Sequence, residues 1–133
     1  LIHHKESSMK VNNKLYARGR YTRDPVVTDA KDGSGKYVFG TIAVDQPFTD
    51  KHGDTRTSTT YIEVKVFDPE FAKVLIDGNA RTGTLIEATG SVRLETGEYE
   101  KDGEKRTSAK IALIVESGAD ASVKIEAHAR EQA

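Results

Sequence analysis

The seven residues from Tyr61 to Phe67 alternate between two kinds of side chain without a break. In an extended strand, successive side chains point to opposite faces, so one face of this run is aliphatic and consists of Ile62, Val64 and Val66. The opposite face carries the two rings, with the charged side chains of Glu63 and Lys65 between them. Because charged side chains are rarely buried, we expect the aliphatic face in a core and the aromatic face at a surface.

Residues 37–44 repeat this arrangement. One face of the predicted strand carries Val38, Ile42 and Val44. The other face carries Tyr37 and Phe39, so two separate strands present rings opposite an aliphatic face.

Six of the nine aromatic residues are therefore predicted outside the main core. Four follow from strand alternation and two from their place in polar loops, and the six are Tyr37, Phe39, Tyr61, Phe67, Phe48 and Tyr99. A base that stacks on an exposed ring gains about 1–3 kcal/mol whatever its identity, so such a surface suits single-stranded nucleic acid. The alternative is that several of these rings cover the ends of a barrel or a subunit interface.

The pattern of the chain predicts five strands and one helix. The strands are predicted at residues 14–20, 36–44, 59–67, 85–94 and 106–115. Between the third and fourth strands, Asp68 and Pro69 predict the start of a helix and Gly78 its end. The apolar stripe of this helix is predicted to consist of Phe71, Val74 and Leu75. This order, with long hairpin loops at 45–58 and 95–104, indicates an all-β fold, the five-stranded Greek-key barrel called the OB-fold. A sandwich or another small barrel is the alternative.

The length of 133 residues suits one domain that buries its own core. We assign residues 9–116 to the OB-fold domain and set residues 1–8 aside as an expression remnant or upstream read-through. Residues 117–133 are polar and rich in alanine, so we expect a mostly mobile C-terminal tail. Within this tail, residues 123–125 are a candidate for a short extra strand.

The chain carries 20 Lys and Arg against 21 Asp and Glu, which gives a formal net charge of −1. Nucleic-acid-binding proteins are usually basic, so phosphate contacts here must come from the local distribution of charge. The predicted phosphate contacts are Arg18, Arg20, Arg23, Lys65, Arg93, Lys101, Lys105 and Arg106. The alternative for each of them is a solvated side chain on a surface of mixed charge.

Patterns for catalysis and metal binding are weak. The chain has no cysteine and no serine in a Gly-x-Ser-x-Gly elbow. The segment 33–36 resembles a phosphate-binding loop only superficially, because Ala30 stands where a glycine is required and Tyr37 follows the lysine. Residues 50–54 match the ligand spacing of neither a calcium loop nor a zinc site. We therefore predict no enzyme, no cofactor and no metal. We also predict no membrane span, since no apolar run approaches about 20 residues.

Three motifs resemble those of the bacterial-type single-stranded DNA-binding protein (SSB) family, over about residues 11–115. They are the Gly-Arg-x-x-x-Asp-Pro-x-Val pattern of residues 19–27, the alternating run 61–67 with the helix after it, and the Lys-Asp-Gly turn at 101–103. The resemblance implies sequence-tolerant binding and protection of single-stranded DNA during replication, recombination or repair. It places the stacking rings of the family at Phe48, Tyr61 and Phe67, and near Tyr99.

The resemblance also implies a homotetramer, with a dimer left open, in the cytoplasm and associated with the nucleoid. Cellular members end in an acidic tip that recruits replication and repair proteins, whereas this chain ends in Arg130-Glu131-Gln132-Ala133. We expect either a truncated tail or a tailless version such as those of phages and mobile elements. Whether this chain binds replication and repair proteins is therefore left open. The alternative function is an OB-fold adaptor that docks a partner protein on its aromatic face in a replication or conjugation complex.

Overall fold

The computed structural model describes residues 13–117 and 120–128. In these ranges the chain forms seven strands and one helix. They are β1 Leu15–Tyr21, β2 Val26–Asp29, β3 Lys36–Thr49, β4 Thr55–Val66, α1 Pro69–Asp77, β5 Leu85–Lys101, β6 Glu104–Val115 and β7 Ser122–Ala127. The segment 1–8 set aside above and the last residues of the chain, 129–133, lie outside the described residues.

Five of the strands close into a barrel. β1 pairs with both β3 and β5, β3 pairs with β4 and β5 pairs with β6, all antiparallel, while β4 and β6 run parallel. The resulting circle, β1-β3-β4-β6-β5, is that of the OB-fold, and these strands correspond to the five predicted ones. The prediction of an all-β, five-stranded barrel with one helix between its third and fourth strands is confirmed.

The barrel interior takes aliphatic side chains from its wall strands. Ile62, Val64 and Val66 are buried on β4, as the alternation predicts, and Val38 and Ile42 are buried on β3. Burial of a side chain of this size stabilises the fold by about 1.5–3 kcal/mol. The aliphatic residues therefore fix which side of β3 and β4 is left at the surface.

The helix begins as the sequence predicts. The Asp68 carboxylate accepts a hydrogen bond from the backbone N–H of Glu70 at 2.9 Å, and Pro69 follows in the first turn. The cap satisfies one of the N–H groups that a helix N-terminus leaves unpaired. α1 has nine residues, and no helix in the described ranges is long and apolar enough to cross a membrane.

The buried face of α1 differs from the predicted stripe. Ala72 and Leu75 lie in the core and Phe71 packs against it, whereas Val74 is exposed. Successive helical residues are about 100° apart, so the face centred between residues 71 and 72 includes residue 75 and turns residue 74 away. The predicted stripe is wrong at Val74.

Both long loops of the prediction are paired strands. β3 and β4 pair to their ends, so their connection is only the turn at 50–54. β5 and β6 meet at a two-residue turn, Asp102 and Gly103, whose φ angles are 55° and 78°. Positive φ at both positions is the geometry of a tight hairpin. The predicted loops at 45–58 and 95–104 are wrong because antiparallel pairing satisfies the backbone of polar, threonine-containing segments as well as apolar ones.

Two further strands lie outside the five predicted ones. β2 pairs with the start of β3 although all four of its residues are exposed, so it has no burial pattern that a sequence would reveal. β7 pairs with the first half of β5, buries Val123 and packs Ile125 against the core. β7 includes residues 123–125, the candidate for a short extra strand in the predicted tail. β7, with its short alternation of apolar residues, pairs with the edge of β5 that β6 leaves unpaired.

Two glycines let the barrel wall close. A Cβ atom on Gly90 would lie 2.1 Å from the carbonyl oxygen of Ile114, and a Cβ atom on Gly19 would lie 2.4 Å from that of Ala43. No side chain fits at these distances. Glycine at these points allows β5 and β1 to approach their neighbouring strands closely.

Candidate nucleic-acid interface

One continuous surface runs over β3, β4, β6 and β5. β3 and β4 pair without a register shift along their hairpin, so alternation assigns each side chain to a face. Odd-numbered residues point away from the barrel, because Ile42 and Ile62 lie in its core. The register pairs Glu63 with Ala112 and Ala112 with Arg93, which carries the same surface onto β6 and β5. We call this surface the outer face: the odd-numbered residues of β3, β4 and β5 and the even-numbered residues of β6.

Three of the predicted stacking rings form one cluster on the outer face. The centroid of the Phe67 ring lies 5.0 Å from that of Tyr37 and 5.4 Å from that of Phe39, both edge to face. Tyr37 and Phe39 are stacked with centroids 6.3 Å apart. We call these three residues the aromatic cluster. All are half-buried, so they offer one shared surface for a base rather than three separate ones.

The aromatic cluster borders an open cleft of about 400 Å³. The other residues that line this cleft lie at the end of β2 and in the connection from β2 to β3, and they include Asp29, Lys31 and Asp32. A lining of rings and polar side chains suits a flat ligand that has an apolar face and polar edges.

Two other predicted rings stand alone on the outer face. The side chain of Tyr61 is 64% exposed on β4, and that of Tyr99 is 47% exposed on β5. Tyr99 lies opposite Arg106 in the β5–β6 register, and both residues belong to the outer face. An exposed ring on a paired strand is held at a fixed height and orientation, as stacking of a base requires.

Phe48 is exposed but lies on the other face. Its position in the unbroken β3–β4 register, opposite Arg56, puts it on the side of Ile42 rather than of Tyr61. The structure thus brings five of the six predicted rings to the outer face and turns Phe48 away from them. A loop assignment for residues 45–58 could not reveal this, because only a paired strand has defined faces.

Four side chains at the centre of the outer face form ion pairs. Lys65 Nζ donates a hydrogen bond to Glu95 Oε2 at 2.7 Å and lies 3.6 Å from Glu63 Oε1. Lys110 Nζ lies 3.2 Å from the same oxygen of Glu63. We call these four residues the central charge network. It contains as many carboxylates as ammonium groups.

The network holds Lys65 in place. The hydrogen bond with Glu95 raises the pKa of Lys65, and the same bond lowers the pKa of Glu95. Lys65 Nζ also lies 5.8 Å from the centroid of the Phe39 ring, within cation–π distance. Glu63 Oε1 is buried, and although both ammonium groups lie within ion-pair distance, neither is in hydrogen-bonding geometry. Lys65 is therefore occupied by protein groups on three sides.

Most other predicted phosphate contacts also have protein partners. Arg20 Nη1 donates a hydrogen bond to the carbonyl oxygen of Gly83 at 2.7 Å. The ion pairs are Arg18 with Glu126, Arg93 with Glu116 at 3.6 Å and Arg106 with Glu104 at 3.5 Å. Within residues 13–117 and 120–128, no carboxylate lies within ion-pair distance of Arg23, Lys101 or Lys105. Register places Lys105 opposite Glu100, on the other face of the hairpin from Tyr99.

Arg23 stands beside a second cleft, of about 360 Å³, whose walls include Phe39 and Glu63. The turn that carries it is fixed by Asp24, because the backbone N–H and the hydroxyl of Thr82 each donate to Asp24 Oδ1 at 2.8 Å. These hydrogen bonds lower the pKa of Asp24. The Asp-Pro motif of the sequence thus orients Arg23 next to the aromatic cluster.

Sequence reasoning missed one exposed ring, Tyr16 on β1, whose hydroxyl donates to Glu87 at 2.6 Å. The pattern that could have revealed this ring is the alternation along β1: Ala17 is buried, so its neighbour Tyr16 points to the opposite, exposed face. Across the part of the chain that the structure describes, no group of three His, Asp or Glu side chains is placed to hold a metal ion.

Comparisons with known proteins agree with this geometry. The model of the single-strand binding protein family matches residues 12–116. The single-stranded DNA-binding protein of Aquifex aeolicus (strain VF5) is 29% identical over 107 residues, which cover 79% of this chain and 67% of that protein.

Solved structures share the barrel. The Plasmodium falciparum SSB, solved in complex with ssDNA, superposes with a TM-score of 0.67 at 19% identity, over 90% of this chain and 98% of that one. The small single-stranded DNA-binding protein from Streptomyces coelicolor gives a TM-score of 0.60 at 20% identity, over 87% of this chain and 96% of that one. Because the family model spans most of the sequence and its barrel is the one found here, this chain belongs to the single-strand binding protein family.

Proposed function

We propose that this chain binds single-stranded DNA without regard to sequence, by stacking bases on its outer face and contacting phosphates with Lys and Arg side chains. The observation that carries the proposal is the ring of Tyr61, which is well exposed on a paired strand of the barrel wall, on the same face as the aromatic cluster. The relatives described above are single-stranded DNA-binding proteins by name, which supports the same partner here. Proteins of this family bind DNA without catalysing a reaction, which confirms the prediction of no enzyme.

The proposed path keeps the bases at the centre of the outer face and the phosphates at its rim. Bases stack on Tyr61, on the aromatic cluster and on Tyr99. Arg23 and Lys101 contact phosphates directly. Of the other predicted phosphate contacts, Arg93 and Arg106 on the outer face must first exchange a protein partner for a phosphate, whereas Lys65 keeps its partners in the central charge network. Arg18 and Arg20 lie on β1, outside the outer face. Phe48 and Lys105 lie on the opposite face of their hairpins, so they contact DNA only if it wraps around the hairpins.

Tyrosine fluorescence during titration with oligo-dT tests the proposal. We expect quenching, and an affinity that falls as salt rises because phosphate contacts release counterions. Replacement Tyr61→Ala removes a stacking ring and should weaken binding by about 1–3 kcal/mol.

Tyr16→Ala is the matched control, because Tyr16 is also a well-exposed ring, on β1, hydrogen-bonded to Glu87 and outside the proposed path. We expect it to bind oligo-dT like the wild type. Unchanged affinity in a folded Tyr61→Ala, Phe67→Ala double variant would remove both rings from the site. Equal competition by duplex DNA would exclude the stacking mechanism altogether.

A second candidate function is a protein-interaction adaptor in a replication or conjugation complex. The net charge of −1 and the balanced charges of the central charge network favour it, since neither attracts a polyanion. A partner that stays bound after nuclease treatment, together with no affinity for oligo-dT, would select this function.

We further propose a homotetramer that acts in replication, recombination or repair on the nucleoid in the cytoplasm, with a dimer as the alternative assembly. Exposed apolar side chains support self-association: Leu94 and Ile111 lie directly opposite each other on the face of the β5–β6 hairpin that Tyr99 leaves free. Sedimentation equilibrium distinguishes the tetramer from the dimer, and a monomer at micromolar concentration would contradict both.

A further inference from the structure

The central charge network occupies the place where a phosphate would otherwise meet lysine at the middle of the outer face. The side chains of Glu63, Lys65 and Glu95 are only 22–24% exposed, so solvent and salt screen their charges less than those of open surface residues. A phosphate that approaches Lys65 must displace Glu95 or lie beside two carboxylates. Both arrangements are energetically unfavourable for a phosphate, because it is negatively charged. An uncharged base is not repelled by the carboxylates.

The rings stand next to this network rather than apart from it. Tyr61 and Phe67 come before and after Glu63 and Lys65 on the same face of the chain, and Lys65 Nζ lies over the Phe39 ring. The centre of the outer face is therefore open to stacked bases and closed to phosphates. Phosphates have to run along the rim, where Lys101 and Arg23 lie.

We propose that Glu63 and Glu95 are specificity-determining residues that select single strands against duplex DNA. The inference rests on the proposed function and deepens it. A single strand can turn its bases towards the rings and leave its phosphates at the rim. A duplex keeps its bases stacked inside and presents phosphates along its whole outside, so it brings like charges against the two glutamates. Discrimination of this kind comes from repulsion of the wrong ligand rather than from added attraction for the right one.

The test compares two double variants with the same change in charge. Glu63→Gln with Glu95→Gln removes both carboxylates of the network and keeps their size. Glu98→Gln with Glu100→Gln is the matched control, since both residues are exposed on the opposite face of β5 and form no ion pair within the described residues. Each protein is titrated with oligo-dT and with a duplex of equal length at one salt concentration.

We expect the network variant to gain about tenfold or more in duplex affinity, because a like-charge repulsion has been removed, and to gain less for oligo-dT. The control variant should change little, and equally for both ligands. Equal duplex gains in the two variants, or no duplex gain in the network variant, would overturn the inference. If the wild type fails to bind oligo-dT, the proposed function falls and this inference with it.

Lys65→Met is a second test that does not need the glutamate variants to fold. If Glu95 keeps Lys65 away from phosphates, this replacement leaves the salt dependence of oligo-dT binding unchanged. Loss of a real phosphate contact would instead lower the slope of log K against log salt by about 0.7, and that result would overturn the inference.

Discussion

At the scale of single residues, the same side chain takes opposite roles according to its place in the alternation. Tyr61 points away from the barrel and offers its ring to solvent, whereas Tyr21 points inward and is 2% exposed. Its ring fills the space that a side chain on Gly40 would need, because a Cβ atom there would lie 2.5 Å from Tyr21 Cε1. Among the described residues, the buried Tyr21 hydroxyl has no hydrogen-bond partner, and burial raises its pKa.

Tyr21→Phe is therefore expected to keep or raise the free energy of unfolding. A buried hydroxyl without a partner costs about 1–3 kcal/mol, and phenylalanine removes it while keeping the ring over Gly40. Urea denaturation of the two proteins measures the difference. Tyr21→Ala is the control and should lose about 3–5 kcal/mol through the cavity that it leaves. A clear loss in Tyr21→Phe would mean that an ordered water or another group bonds the hydroxyl.

At the scale of elements, β7 shows how little sequence is needed to complete a sheet. Its only buried side chain is Val123, yet it pairs with five consecutive residues of β5, from Leu85 to Thr89. On the other edge the same residues of β5 pair with β1. β7 thus turns an exposed edge of β5 into an interior one and prevents pairing of that edge with other chains.

Val123→Asp should detach β7 and leave the barrel folded. A charge without a partner in the core is unfavourable, and the burial it replaces contributes about 1.5–3 kcal/mol. We expect amide hydrogens of β7 to lose their protection from exchange with solvent, while those between β4 and β6 keep theirs. Ser122→Asp is the control, because Ser122 is exposed on the same strand. Loss of protection throughout the barrel would show instead that β7 belongs to its cooperative core.

At the scale of the whole molecule, the sequence predicts what depends on neighbours along the chain. Alternation gave the inward faces of β3 and β4, and Asp68 with Pro69 gave the start of α1. The sequence did not predict contacts between strands that are distant along the chain. Lys65 on β4 and Glu95 on β5, for example, come together only because β6 pairs with both strands. The face of Phe48 was missed for a related reason, since its segment has no apolar pattern and its strand is defined by its partner.

Carboxylates tie distant elements together. Asp24 accepts hydrogen bonds from Thr82, in the connection before β5, and these lower its pKa. Asp50 accepts from Arg56 across the β3–β4 turn, which likewise lowers its pKa. Glu87 on β5 accepts from Tyr16 on β1 and lies 3.2 Å from Lys124 on β7. Protonation of these groups removes links between elements.

Acid should therefore destabilise the fold, and Glu87 offers the sharpest test. Its pKa is lowered from 4.5 to about 2, first by hydrogen bonding with the neighbouring Glu126 carboxyl group and then by the Tyr16 hydroxyl. A carboxylate whose pKa is lower in the folded state than in the unfolded state stabilises the fold. This stabilisation is complete above the unfolded-state pKa and is lost as the pH falls through the folded-state pKa.

Glu87→Gln should lower the melting temperature at pH 7 and flatten its decrease between about pH 5 and about pH 2. Glu98→Gln, which removes an exposed carboxylate from the same strand, should follow the wild type, and thermal melts recorded by circular dichroism across this range measure all three. An acid profile of Glu87→Gln as steep as that of the wild type would show that Glu87 does not link β1, β5 and β7.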